Sequence, residues 1–324
     1  MTQPLKPWLS FKDQLQLLQK RGLVVEDRAA ALDYLERLGY YRLSGYWHSL
    51  RTIDPAASPG QSGAVRLDSF VPGSRFEDVA RLYVFDKRLR LLALDALERI
   101  EMAIRVDVAH VLGERDPRAH EIPSCLHGNF SKKRIATGSD KGKTKHEVWL
   151  AKHKALLDRA DKQGFVQHNT HEYGTLPIWV AAEIWDFGLL SRLFAGMKHE
   201  DQQTIASGYQ AADGPMLAKW LHSLNFIRNV AAHHSRLWNI NVVVRSNVPP
   251  DWSPALNDAR PFFYFCLMQQ LLRVICPNST WGRRLTDLLQ SDFPSFPNAT
   301  LSLDDFGWVP DCWDAKPCKK QPHK

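Results

Sequence analysis

From Phe76 to Leu112 the chain contains no proline and no glycine, and Leu82, Phe85, Leu89, Leu92, Leu97, Ile100, Ile104, Val108 and Val111 recur at helical spacing. Ser74-Arg75-Phe76-Glu77 has the form of a capping box at the start of this run, and Gly113 follows its last turn. At about 1.5 Å per residue the predicted helix is roughly 50 Å long, enough to organise a bundle. Shorter apolar stripes predict helices from Ser10 to Gly22 (Leu15, Leu17, Leu18) and from Asp27 to Gly39 (Leu32, Leu35, Leu38). Further helices are predicted at 146–162, at 177–197 from Pro177 with Ile178, Ala181, Ala182 and Trp185 on one face, and at 214–233 with Leu217, Leu221, Leu224 and Ile227. Two more close the chain at 260–275 and 279–290. Between them lie the aromatic stretch 40–47, a breaker-rich loop at 54–63, a polar connection at 114–145 and an extended segment or short strand at 241–245. The pattern predicts a mainly α protein: an N-terminal helical extension over 1–70, a helical domain over 71–292 and a poorly ordered tail over 293–324.

Composition narrows the class. Of 324 residues 44% are apolar and 24% charged, which excludes a disordered chain, a collagen-like chain and a coiled-coil rod. The net charge of +7 permits nucleic acid as a partner without requiring it. Five scattered cysteines with no Cys-x-x-Cys pair argue against a disulfide framework and a zinc knuckle, and fit a reducing compartment. No apolar run approaches the ~20 residues that span a bilayer, and the N-terminal residues hold no apolar core of a signal peptide. A cytoplasmic protein is expected. Locally, Lys132, Lys133, Arg134, Lys141, Lys143 and Lys145 are opposed by Asp140 alone. Such a run is either a solvated loop or a surface for sequence-independent contacts with RNA phosphates.

The densest polar constellation, Asn225 to Asn239, closes the helix predicted at 214–233. It contains Arg228, Asn229, His233, His234 and Arg236. Arginine and histidine together can cleave RNA without a metal. Histidine moves a proton near neutral pH, and the guanidinium holds the phosphate. At about 100° per residue Asn229 and His233 share a helix face, whereas Arg228 and His233 stand about 140° apart. Either the helix distorts or a second copy of the motif across a dimer completes the site. Arg-x4-His also occurs at Arg105/His110 and Arg115/His120, and a histidine pair at a helix C-terminus also serves to offset the helix dipole. Glu101 and Arg105 form an i, i+4 pair on the long helix that either is an ordinary ion pair or orients the Arg228 helix; His110, Glu183 and Arg236 are similar candidates. Tyr40, Tyr41, Tyr46 and Trp47 are read as core, with base stacking as the alternative. No metal constellation is visible.

Five stretches, in order, resemble the Abi-like family of bacterial abortive-infection proteins, of the AbiD/AbiF kind. They are Tyr40-Tyr41-Arg42-Leu43-Ser44-Gly45-Tyr46-Trp47, Phe85-Asp86-Lys87-Arg88-Leu89-Arg90, Ile100-Glu101-Met102-Ala103-Ile104-Arg105, Leu176-Pro177-Ile178-Trp179 with Glu183 and Phe187-Gly188, and Arg228 through Asn239. That family is grouped with the HEPN superfamily, helical domains that commonly dimerise and whose active members are metal-independent RNases. The resemblance implies Arg228 and His233 as catalytic residues, Asn229 as the polar second position and His234 as the alternative histidine. It implies no metal or cofactor, a homodimer, no membrane, an RNA substrate, and a role in phage defence; some relatives are linked to a small non-coding RNA. The alternatives are a non-catalytic RNA-binding module and a protein-interaction subunit of a defence or toxin–antitoxin system.

Overall fold

A computed structural model of the chain describes residues 5–56, 65–296 and 301–310. Helix α1 (Phe11–Lys20) begins where the Ser10 hydroxyl accepts the Asp13 N–H at 3.2 Å, and it buries Leu15 and Leu18. Helix α2 (Arg28–Leu38) is capped in the same way by Asp27. Gly39 then takes φ +82°, a left-handed backbone that favours glycine, and turns the chain directly into α3 (Tyr40–Trp47). The aromatic stretch is therefore a helix, with Tyr46 and Trp47 buried in the core and Tyr41 92% exposed. Strands β1 (Arg51–Ile53) and β2 (Arg66–Phe70) form an antiparallel ribbon that the sequence pattern did not predict. Residues 57–63 of the loop expected between them lie outside the described residues.

Helix α4 (Phe76–Arg115) is the axis of the fold and runs 40 residues. It passes through Gly113, where a Cβ would stand 3.2 Å from Ile178 and Trp179. The glycine there serves close packing, not termination. The capping box does not form: Arg75 holds the cap position without a side-chain bond, and Glu77 instead accepts the N–H groups of Glu26 and Asp27 at 2.9 and 3.1 Å. The polar connection holds a short helix, α5 (Gly128–Ser131).

Thr144 and Glu147 do make a capping box, which starts α6 (Lys145–Ala160). Helix α7 (Gly164–Tyr173) is an addition to the predicted set. The helix expected at 177–197 is broken in two. Helix α8 (Ile178–Ala181) passes into a single tight turn, the chain opens at Trp185 and Asp186, and the Asp186 carboxylate caps α9 (Phe187–Gly196) through the Leu189 N–H at 2.7 Å. Helix α10 (His199–Gly208) was also unpredicted, whereas α11 (Gly214–Ala232), α12 (Pro261–Ile275) and α13 (Trp281–Ser291) follow their apolar stripes. Residues 241–245 form no strand.

One hydrophobic cluster runs without interruption from Leu15 to Phe306, so the N-terminal helices share the core of the main body. Part of the segment expected to be loose packs onto it: Phe293 lies against Phe85 and Trp238, and the fully buried Phe306 against Phe262 and Phe265. Residues 311–324 lie outside the described residues. The protein is mainly α.

Candidate functional site

Helix α11 ends in a tight reversal. The His234 N–H donates to the Ala231 carbonyl at 3.1 Å and the Ser235 N–H to the Val230 carbonyl at 3.0 Å, the paired bonds of a Schellman motif. His233 is the last half-helical residue, and His234 occupies the left-handed position with φ +57°, where glycine is usual. Both imidazoles are exposed. The Arg42 guanidinium reaches from α3 to the His234 carbonyl at 2.5 Å, and the Arg236 guanidinium donates to the Gly45 carbonyl. Arg236 therefore clasps α3 and does not point toward Arg228.

The chain beyond the reversal is fixed by a buried hub that sequence reasoning did not assign. Asp86 on α4 is fully buried and accepts the N–H groups of Leu237 (3.1 Å) and Trp238 (2.8 Å), the Tyr46 hydroxyl (2.7 Å) and the Arg90 guanidinium. Burial pushes the Asp86 pKa up, while Arg90, Tyr46 and the two amides pull it down. Three of the stretches that carry the resemblance thus meet at one carboxylate. The signal in the sequence was two charges four apart on the apolar side of the long helix.

Arg228 lies one turn before the end of α11, half-buried, with one long hydrogen bond to Asn229 Oδ1 at 3.4 Å. It forms a wall between two clefts. On one side stand Glu101 and Arg105 of α4, joined by a 2.8 Å ion pair, with Arg105 also donating to the Trp185 carbonyl at 3.0 Å. Burial pushes the Glu101 carboxyl up, although Arg105 and then Arg228 favour its ionised form. Glu183 stands 3.9 Å from Arg105, and His110 borders a neighbouring cleft with both.

The other cleft, of about 330 Å³, lies between α6, α9 and α11. Lys152, Arg159, Arg192 and Arg228 converge on it, with Asn225 and Asn229 beside them. Its single carboxylate, Asp186, is already capping α9. None of these four cations makes an ion pair among the described residues, in contrast to Arg90, Arg105 and Arg115. Unpaired like charges held in a concavity repel one another, and an anion relieves that repulsion. Lys152 and Arg159 were missed by sequence reading; with Lys145 they repeat every seven residues and so share a face of α6. Neither His233 nor His234 borders either of these clefts.

In the polar connection, Lys132, Lys133, Arg134, Lys141 and Lys143 are exposed on a tight turn. Lys143 pairs with Asp140 at 3.2 Å and the Arg134 guanidinium bonds the Gly142 carbonyl. Lys145 starts α6 and borders an apolar pocket next to the cationic cleft.

One grouping of metal-type side chains stands among the described residues. His120, Glu121 and His153 bring ligand-type atoms within 4.8 Å of one another, which their sequence separation concealed. The grouping nevertheless sits in a buried aromatic cluster with His146, Trp149 and Trp185. His153 Nδ1 accepts the Trp185 N–H at 3.0 Å, and Arg118 holds Glu121 at 2.6 Å. These bonds occupy His153 Nδ1 and one Glu121 oxygen, whereas neither His120 nitrogen has a hydrogen bond among the described residues. Burial lowers the pKa of all three histidines, that of His120 to about 3.

A profile of the Abi-like protein family matches residues 33–239, more than half of the chain. The protein belongs to that family, whose name points to abortive-infection defence. The matched span takes in Tyr46, Asp86, Arg90, Glu101, Arg105, Arg228, His233 and Trp238. No curated protein and no solved structure matches the chain. Among the described residues no helix is long and apolar enough to cross a membrane.

Proposed function

We propose that the protein is a metal-independent endoribonuclease of the HEPN type that acts in abortive-infection defence. The observation that carries this reading is the cleft in which Lys152, Arg159, Arg192 and Arg228 converge without ion-pair partners among the described residues. Such a cleft suits the phosphates of an RNA strand. In the reaction the ribose 2′-OH attacks the adjacent phosphorus, its proton passes to a histidine, and the P–O5′ bond breaks. The leaving 5′-oxygen takes up a proton, and a 2′,3′-cyclic phosphate remains. Arg228 holds the phosphate and stabilises the charge on its equatorial oxygens. His233 is the proton carrier. It is exposed at the α11 terminus and borders neither cleft that Arg228 lines, and in this reading His233 of the partner subunit completes the site in a homodimer. The exposed basic turn at 132–143 supplies further phosphate contacts outside the cleft.

The absence of His233 from the lining of both clefts that Arg228 borders also favours a second reading, a non-catalytic module that holds RNA in the same cleft. Incubating the purified protein with total RNA in EDTA, beside Arg228→Ala, and mapping the new ends decides between them. Cleavage by the wild type with 2′,3′-cyclic phosphate ends, lost in the variant, supports the enzyme. Salt-sensitive binding with intact RNA supports the module.

A further inference from the structure

We infer that the apolar pocket next to the cationic cleft seats one nucleobase of the bound RNA strand and thereby gives the protein a base preference. This rests on reading the cleft as an RNA site. The pocket has a volume of about 330 Å³ and is walled by Phe130 of α5, Ile135 of the basic turn, and Val148 and Trp149 of α6. Its apolar walls have no use for a phosphate, yet its rim carries two cations, Lys145 and Arg192, neither of them ion-paired among the described residues. An apolar slot with a cationic rim suits a flat, uncharged ring attached to an anionic chain.

Its position is the decisive point. Helix α6 is a wall common to both cavities: Lys145 and Val148 border the pocket, and Lys152, Ala155 and Arg159 border the cleft. Val148 and Ala155 lie seven residues apart, about 10 Å along the helix axis, which an extended strand covers in about one or two nucleotides. Arg192 borders both cavities, so its guanidinium can hold the phosphate that precedes or follows the seated base.

The walls also say how the base is read. Trp149 is 1% exposed, stacks on His153 and donates its N–H to the Leu189 carbonyl, so its face is already covered and it closes the pocket without stacking on the base. Phe130 is held close beneath α9, where Gly196 leaves room for its ring: a Cβ there would stand 2.5 Å from it. That leaves Phe130, Ile135 and Val148 as apolar contact surface, with the half-buried His127 ring, which accepts the Asn129 N–H at 3.1 Å and packs against His199, as the remaining wall. Asn129 is exposed at the rim, its side-chain amide has no hydrogen-bond partner among the described residues, and it offers both a donor and an acceptor to a base edge.

The test measures binding, so it does not depend on cleavage. Affinities for single-stranded RNA decamers of A, C and U are compared at low salt by fluorescence anisotropy for the wild type, Ala195→Trp and Asn129→Ala. Ala195 is an exposed α9 residue at the pocket mouth, where a tryptophan fills the slot without disturbing the core. The wild type is expected to prefer one polymer by about ten-fold, the scale of one well-seated base. Ala195→Trp is expected to bring the three affinities within about two-fold of one another at the level of the weakest, and Asn129→Ala to reduce the preference. Equal wild-type affinities, or a preference unchanged in both variants, overturn the base pocket and leave the phosphate cleft standing. Failure of the wild type to bind any of the polymers overturns both.

Discussion

Asp86 and Trp238 lie 152 residues apart, yet the Trp238 N–H donates to Asp86 Oδ1 at 2.8 Å inside the core. That bond, with those from Leu237, Tyr46 and Arg90, fixes the segment that follows α11 and so the point at which the helix carrying Arg228 ends. Asp86→Ala leaves the Arg90 guanidinium buried without its partner and two amides without an acceptor. The expected loss is about 3–5 kcal/mol, read as a lower urea midpoint with unchanged slope. A midpoint within experimental error of the wild type contradicts the hub.

The two neighbouring histidines separate by backbone geometry. His234 pays for a left-handed φ of +57° that glycine adopts freely. His234→Gly is therefore expected to raise stability by about 0.5–1 kcal/mol, measurable as a higher melting temperature. With His233 as the proton carrier, His234→Gly keeps RNA cleavage and His233→Ala loses it. The reverse pattern reassigns the role to His234.

Stability is expected to fall in mild acid. His120, His146 and His153 are neutral in the folded core because burial lowers each pKa, that of His120 to about 3. The unfolded chain binds these protons near the ordinary value of 6.5, well before the folded chain does. Their contribution is complete above about pH 6.5 and is lost as pH falls below it, by up to about 1.4 kcal/mol per pH unit for each group. Urea titrations at pH 7.5, 6 and 5 measure the slope. His120→Leu removes a fully buried ring with no hydrogen-bond partner on either nitrogen. It is expected to flatten the pH dependence and to leave neutral-pH stability equal or higher.

The cationic cleft makes a salt-dependent prediction. Removing Lys152, Arg159 or Arg192 singly is expected to weaken binding of single-stranded RNA and to reduce the slope of log affinity against log salt by about 0.7 each. The exposed charges at Lys152 and Arg159 have no hydrogen-bond or ion-pair partners among the described residues, so the folded state is expected to be unaffected. An unchanged salt slope in all three variants removes the cleft from the RNA path.

What the sequence made legible follows from the range of the interactions. Helix α4 was readable almost end to end because its apolar period is local; Glu77 misled because it caps Glu26 and Asp27 instead of its own helix, and Gly113 because its purpose is contact with Ile178 and Trp179. The break between α8 and α9 was hidden because apolar residues continue on both sides of Asp186, which caps α9. The site was legible as a motif on α11 but not as a place. Arg228 meets Lys152 and Arg159 of α6 and Arg192 of α9 only through packing, as His120 meets His153. The polar hub was out of reach for the same reason: Tyr46, Asp86 and Trp238 were visible as fragments of a resemblance without a reason to be joined.

The most direct measurement is the yield of 2′,3′-cyclic phosphate ends from total RNA in EDTA, wild type against the double variant His233→Ala, His234→Ala at matched folded fraction. The predicted result is abundant cyclic ends from the wild type and none above background from the double variant. Equal yields from the two proteins would contradict the account.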